Sequence, residues 1–455
     1  MKAYMEEKEL VEERGRTSEA GEKLSMSAFM QLRRSRQVLE EARERQEKGE
    51  DEEALPMLEQ AVGASEHSVE ARVALSQAIW NEADGESSLA RVEELLKQAI
   101  SVAKKNTSST ESAFLPLATN KLLLLLCLQG RDKEAQELLQ GEGYEYRLSP
   151  EVFRGKLICQ GGDQEQDCNA QLLRDSLLCV LDEALPADML RHLQECFSPA
   201  SAFWREHSYL SPQTGYFSYL HDIDRPACNN MEQIIHVLWK HAISRFPHAA
   251  RARKAEWWAH CRPHPSGHQL HFDSDDEGIG GVRNPIVTTV TYLSMGTGGC
   301  TLVTDQRVDD RELACKGWLV KPKENRYVVF DGSVLHGVIP GRSFSLNPKG
   351  RRVTLMVAFW EDIKQRGTEA DGPGASRAFP VAGATNFTWA NKMFELRKEW
   401  EEVSKEPTIT IEDIIPVSSV WEKVEQSDAE RVSSASGHRA GASGLPGYEA
   451  CFQGF

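Results

Sequence analysis

The sequence predicts a multidomain α + β chain, an N-terminal α-helical repeat region followed by an all-β sandwich or jelly roll. Three observations carry that expectation. From about residue 30 to 144, apolar residues recur at helical spacing. Beyond about residue 197 the texture changes to short β-rich runs punctuated by Gly, Pro and Asp. Between the two, "GGDQEQD" interrupts the periodicity.

Residues 1–28 are mostly charged and small, and are expected to be poorly ordered. The helical region follows over 29–150. "EEALPMLEQAV" places Ala54, Leu55, Leu58, Ala61 and Val62 on one face, and "VEELLKQAISVA" and "NKLLLLLCLQG" read the same way. The turns "KGED", "ADGESS" and "QGRDKE" separate them. A Gly followed five positions later by Ala occurs at Gly49/Ala54 and Gly130/Ala135. The pattern resembles degenerate tetratricopeptide repeats, with a plain helical bundle as the alternative because the glycine spacing is irregular.

The second region, 170–365, opens with a helix-like stretch, "LPADMLRHLQECF", whose apolar contacts are Leu190, Leu193 and Phe197. The β-like runs are "GYFSYLH", "AEWWAH", "NPIVTTVTYLS", "CTLVTD", "GWLVKP", "RYVVFDG" and "RRVTLMVAFW". Residues 366–424 read as a linker ("KQRGTEADGPGASR"), one more helix ("TWANKMFELRKEWEEV") and a β segment ("TITIEDIIPVSSVW"). Residues 425–455 read as a disordered tail.

Bulk composition narrows the function classes. A formal net charge of -16 repels a phosphate backbone, so nucleic acid is not expected as a partner. Ten cysteines without a CxxC pair argue against a zinc ribbon or a disulfide framework and fit a reducing compartment. The N-terminus has no apolar core, and the longest strongly apolar run, "LLLLLCL", falls short of the roughly 20 residues of a membrane span. The expectation is an intracellular protein, cytoplasmic or nuclear, with no membrane partner.

The chemistry concentrates in "GHQLHFDSDDEG", residues 267 to 278. As an EF-hand loop starting at Asp273, it would need a bidentate Glu at the twelfth position, where Asn284 stands. A zinc site built from Cys261, His264, His268 and His271 is a second reading. The third is a 2-His-1-carboxylate triad. In an extended chain His271 and Asp273 point to the same side. Of thirteen histidines only His271 has an acid two places on, and downstream of it only His336 and His438 remain. His438 lies in the small-residue tail, which leaves His336. Three protein ligands leave up to three positions open on an octahedral iron.

These residues resemble those of the Fe(II)/2-oxoglutarate-dependent dioxygenases, closest to the prolyl-hydroxylase-like branch. The shared pattern is "HFD", then "VTTVTYLS" before "GTGGCTL", then "DGSVLHGVIPG", then "RRVTLMVAFW", all in family order over roughly 175 to 363. The resemblance implies a double-stranded β-helix (jelly-roll) dioxygenase domain in which His271, Asp273 and His336 bind Fe(II). It implies 2-oxoglutarate as cosubstrate, with ascorbate alongside, and a basic residue on the distal carboxylate. Arg351 and Arg352 face opposite ways, and Arg352 shares its face with Thr354, as in the family's Arg-x-Ser/Thr arrangement. Tyr292 matches a position whose hydroxyl holds the same carboxylate. The chain departs from the family at Cys300, where Glu is common, and uses arginine where collagen-type prolyl hydroxylases use lysine.

The implied reaction hydroxylates a substrate C–H bond and releases succinate and carbon dioxide, on a peptide or protein substrate presented by the helical region. The competing readings are a non-catalytic tetratricopeptide-like interaction protein carrying a relic domain, and a cupin-like jelly roll with another metal. Smaller expectations concern neighbouring residues. Alternation puts one of Trp257 and Trp258 in the core and the other near the pocket or an interface, with both as packing residues the alternative. Tyr216, Phe217 and Tyr219 pack in the core or line the entrance. His221 sits in a surface turn, while His264 and His268 are packing residues or flank the site. Asp275, Asp276 and Glu277 form a solvated loop. Oligomeric state is left open.

Overall fold

The computed structural model describes residues 25–105, 109–154, 177–209, 217–275, 282–342, 344–345, 347–366, 374–379, 388–394, 400, 406–425 and 450–454. They fall into two compact units, one helical within 1–142 and one β-rich across 143–342 and 349–453. Residues 1–24, 426–449 and 155–176, which include most of both expected disordered ends and "GGDQEQD", lie outside the described residues.

The helical unit comprises Met26–Glu47, Asp51–Ala64, Val69–Asn81, Glu86–Lys105, Leu115–Gln129 and Asp132–Gly141, with a four-residue turn at Ser109–Ser112. Ser25 and Ser68 cap two of these helices, each side chain accepting an amide N–H of the first turn. Val38, Leu39, Ala42, Leu58, Ala61 and Leu75 form one core cluster, and Val69, Val73, Ala99, Ala103 and Ala118 form another. Gly49 and Gly130 take left-handed conformations (φ 77° and 75°) just before a helix whose Ala54 or Ala135 is fully buried. Gly85 does not share that conformation, so the three glycine positions are not structurally equivalent. Thr110–Gln129 is long and apolar enough by composition to cross a membrane, yet 56% of its apolar window is buried inside this unit, as in a core helix.

In the second unit the strands are β1 Tyr146–Leu148, β2 Leu178–Asp182, β3 Tyr219–Asp222, β4 Lys254–Pro263, β5 His268–His271 and β6 Val287–Tyr292. They continue as β7 Thr301–Arg307, β8 Gly317–Val320, β9 Arg326–Asp331, β10 Val334–Val338, β11 Arg351–Trp360 and β12 Arg377–Ala378. Four short ones close the set: β13 Thr408–Ile409, β14 Ile414–Val417, β15 Trp421–Lys423 and β16 Cys451–Phe452. An eight-stranded sheet runs β12-β3-β4-β11-β6-β9-β2-β13, and a five-stranded sheet runs β14-β8-β7-β10-β5.

Strand alternation divides the core. On β11, Val353, Leu355, Val357 and Phe359 join a cluster with Leu193, Ile234, Leu238 and Trp389 of the helices Ala187–Cys196, Asn230–Arg245 and Thr388–Phe394. Met356, Ala358 and Trp360 face the other way, into a cluster with Val303, Trp318 and Val334 of the smaller sheet. The functional residues project into this second layer, between the sheets.

Every quoted β-like run contains a strand. The description of this region as β runs omits the helix Asn230–Arg245, whose buried Ile234, Ile235, Leu238 and Ala242 and Asn229 cap form a helical signature. The disordered-tail expectation is corrected at Cys451–Phe452, which pair in parallel with Tyr146 and Arg147 and are buried. Phe452 gains an edge contact with Tyr144, at 5.3 Å between ring centroids.

Candidate metal centre and anion pocket

His271 lies at the end of β5 and His336 in the middle of β10, directly opposite each other in antiparallel register. Their rings are 4.4 Å apart, centroid to centroid. Asp273, two residues past His271, has one carboxylate oxygen 3.4 Å from His271 Nε2 and the other 3.7 Å from His336 Nε2. One ligand atom from each of the three residues lies within 4.8 Å of the others, a spacing that suits a single ion; it is the one such His/Cys/Asp/Glu group among the described residues.

Hydrogen bonding fixes what these groups present. His271 Nδ1 lies 2.8 Å from the Gln269 carbonyl and His336 Nδ1 lies 3.0 Å from the Val334 carbonyl. A carbonyl only accepts, so each Nδ1 carries the hydrogen and each Nε2 turns a lone pair inward. The Thr288 hydroxyl donates to Asp273 Oδ2 at 2.7 Å, and Asn284 Nδ2 donates to the Asp273 carbonyl at 2.7 Å. Burial holds His336 down to about 4, so it is neutral near pH 7. For Asp273, burial raises the carboxyl but His336, His271 and Thr288 outweigh it and keep it well below the carboxylate range. For His271, burial lowers the imidazole and Asp273 more than restores it. Inward lone pairs on two imidazoles and one carboxylate repel each other without a cation between them. This is the donor set of a divalent transition metal with open positions.

A cavity on one side of the triad is lined by His271, His336, Tyr292, Thr354, Arg352 and Arg262, among others. Arg352 is 4% exposed, and its sole hydrogen bond among the described residues is a long one, 3.4 Å, to the Gly299 carbonyl. It forms no ion pair there. Burial lowers its affinity for the proton, and a buried guanidinium without a carboxylate is costly. Thr354 stands opposite Tyr292 across β11 and β6, and the Tyr292 hydroxyl is 2.5 Å from Thr301 Oγ1. Five of the six residues singled out in the sequence, His271, His336, Tyr292, Arg352 and Thr354, therefore border one space, and the sixth, Asp273, borders the cavity beside it. Arg351 pairs opposite Pro263 and projects to the other face of β11.

A second cavity adjoins the first, sharing Trp258, His260, His268 and His271 with it and bordered also by Asp273, Glu256, Phe272, Ser274, Trp360 and Arg366. Burial raises the Glu256 carboxyl above its ordinary value, and the hydroxyls of Ser218 and Ser376 donate to it.

Several expectations are refined or corrected. The zinc cluster does not assemble: His264 accepts from the Gly298 N–H at 3.2 Å and contacts the Arg342 carbonyl at 3.1 Å, tying two turns together. His268 borders both cavities, its ring 4.7 Å from that of His271. Burial pushes it down to about 3. Asp275 is not solvated; it is 3% exposed and paired with Arg283 and Arg366, while Asp276 and Glu277 lie outside the described residues. His221 is not in a surface turn either, but buried in β3 with Nε2 3.0 Å from His236 Nε2. Trp257 enters the helix-side core and Trp258 borders the cavities, as alternation required. Phe217 and Tyr219 pack in the helix-side core, and Tyr216 lies outside the described residues.

Sequence reasoning missed Thr288, Asn284, Gln269, His260 and Tyr209. Apart from the inward phase of Thr288 on β6 and of His260 on β4, no local signal marks them. His260 is partly buried, with Nδ1 3.1 Å from the Tyr209 hydroxyl, and desolvation beside Arg262 and His268 holds it well below its ordinary value.

No family model matches the chain, and no curated protein does. Solved structures similar to it include a Pseudomonas putida prolyl-4-hydroxylase, 18% identical, covering 45% of this chain and 99% of that one, with a TM-score of 0.28. A viral collagen prolyl hydroxylase from Paramecium Bursaria Chlorella virus-1, in its 2OG complex, is 13% identical over 40% and 94% of the two chains, TM-score 0.25. HygX from Streptomyces hygroscopicus, with nickel and 2-oxoglutarate bound, is 12% identical over 48% and 96%, TM-score 0.26. At these identities and TM-scores, the functional reading rests on the geometry of the site.

Proposed function

We propose that this chain is an Fe(II)- and 2-oxoglutarate-dependent dioxygenase whose two facing sheets form a double-stranded β-helix. It hydroxylates a C–H bond, on a peptide or protein substrate. One observation carries the reading: of the cluster of inward lone pairs from His271, Asp273 and His336, the two histidines share a cavity with a buried arginine that has no carboxylate partner among the described residues. The first needs a cation and the second an anion. A metal ion chelated by one end of a dicarboxylate, whose other end meets the arginine, satisfies both.

In this mechanism His271 Nε2, His336 Nε2 and the Asp273 carboxylate hold the ferrous ion. Thr288 and Asn284 aim the Asp273 segment at it. Arg352, with Tyr292 and Thr354 beside it, holds the far carboxylate through a planar guanidinium suited to two parallel hydrogen bonds. Bound iron supplies oxidation of the substrate by dioxygen, coupled to conversion of 2-oxoglutarate to succinate and carbon dioxide. The walls Val290, Met356 and Trp258 keep bulk water from the reacting atoms. The second cavity, which His271 and Asp273 both border, receives the substrate group. The helical unit, read as tetratricopeptide-like hairpins, recruits the substrate protein, and the free cysteines among the described residues suit an intracellular setting.

Purified full-length protein given Fe(II), 2-oxoglutarate and ascorbate is expected to form succinate, and His271→Ala to lower the rate at least 100-fold, an order-of-magnitude expectation for loss of a metal ligand. Equal succinate from both proteins would remove the proposal. Proteins captured by the chain are expected to carry one added oxygen, detectable by mass spectrometry.

A further inference from the structure

We propose that Arg262 is a second cationic contact for the far carboxylate of the cosubstrate, so that two guanidiniums grip it from adjacent strands. The proposal rests on the dioxygenase reading and goes beyond it.

The backbone register places the pair. Arg262 on β4 stands directly opposite Arg352 on β11. Directly opposed residues project to the same face of a sheet, and both side chains border the same cavity. Like charges in that relation repel, so the arrangement is unfavourable as it stands. Neither arginine has a carboxylate partner among the described residues, and Arg262 Nε is buried there with no hydrogen-bond partner. Its recorded contact is the face of the Tyr209 ring, 5.3 Å from the guanidinium carbon. Tyr209 is itself held in place, its hydroxyl accepting from the Cys261 N–H at 3.2 Å and lying 3.1 Å from His260 Nδ1.

The chain does not lack acids, having 69 against 53 basic residues. Elsewhere several inward arginines meet them: Arg326 with Asp182 and Asp413, Arg147 with Glu422, and Arg366 with Asp275. Two unmatched guanidiniums facing one cavity therefore mark a place for an external anion. The stacking on Tyr209 orients Arg262 in advance of binding.

The test is calorimetric titration of two probes into Mn(II)-loaded full-length protein. One probe is 2-oxoglutarate; the other is 2-oxobutyrate, with the same chelating head and no far carboxylate. Arg262→Gln is expected to weaken 2-oxoglutarate binding about tenfold or more, as for loss of a charge-assisted hydrogen bond, and to leave 2-oxobutyrate binding unchanged. Arg262→Lys, which keeps the charge, is expected to recover part of the loss. If Arg352→Gln weakens 2-oxoglutarate and Arg262→Gln does not, the second contact is overturned and the dioxygenase reading stands. If Arg262→Gln weakens both probes equally, the residue acts on the fold and the proposal is likewise overturned. Failure of the wild type to bind 2-oxoglutarate at all overturns both.

Discussion

Asp273 serves as a ligand only if its carboxylate is aimed, and the aiming is done by a hydroxyl fifteen residues away in the chain. Thr288 donates to Asp273 Oδ2 at 2.7 Å from the inward face of β6. Thr288→Val removes that donor at nearly constant volume, leaving the carboxylate free to rotate. Affinity for Fe(II), or for Co(II) as a surrogate, is expected to fall about tenfold, the lower end of the range for residues that orient metal ligands. Competition with a chelator measures it, with the circular dichroism spectrum unchanged. Wild-type affinity in the variant would show that Asp273 needs no such support. Nothing in "VTTVTYLS" distinguishes Thr288 from Thr289 or Thr291 except the phase of the strand.

The β4–β11 pair and the Gly-Gly turn over it form the element on which the anion pocket depends. A Cβ on Gly299 would stand 1.9 Å from the Ile339 carbonyl oxygen, and one on Gly298, at φ 89°, would reach 3.0 Å from Arg352 Cδ. Gly298 lets the turn lie directly on the arginine, and Gly299 lets it close against the Ile339 backbone. Gly299→Ala is expected to cost on the order of 2–3 kcal/mol, since the clash is with backbone and overpacking has that typical size. It should also weaken 2-oxoglutarate binding, because the turn carries the carbonyl that Arg352 contacts. A thermal melt and a titration on one sample check both, and a variant melting with the wild type would contradict the packing argument. The "GTGGCTL" motif was legible as a turn, but its reason, contact with Arg352 and Ile339, was not.

Across the β unit, one ion-pair knot joins distant segments. Arg326, fully buried on β9, pairs with Asp182 of β2 at 2.7 Å and with Asp413, just before β14, at 2.7 Å, and Lys323 reaches Asp182 at 2.6 Å. Burial raises the Asp182 carboxyl, but the hydrogen bonds from Arg326 and Lys323 outweigh it and hold it at about 2, below its ordinary 3.8. A carboxyl lowered by folding contributes stability above its unfolded value and loses it as pH falls through the folded one. The contribution, on the order of 2 kcal/mol by that linkage, is therefore present above about pH 4 and lost toward about pH 2. Urea melts across that window should show wild type losing more stability than Asp182→Asn. Parallel pH curves would mean the knot carries no such linkage.

What the sequence by itself determined is whatever depends on the period of the chain. Two-residue alternation put His271 and Asp273 on one side, separated Arg352 from Arg351, joined Arg352 to Thr354, and divided Trp257 from Trp258. Counting histidines left His336 as the partner. The helix Asn230–Arg245 was equally legible, through its Asn229 cap and the spacing of Ile234, Leu238 and Ala242, and was passed over. Only the tertiary structure decided that His271 faces His336, that Thr288 reaches Asp273, that Asp275 is buried between Arg283 and Arg366, and that Arg262 confronts Arg352. Those contacts depend on which strands pair and in what register, which is set by the packing of distant segments. Local periodicity states which way a side chain points. It does not state what stands opposite.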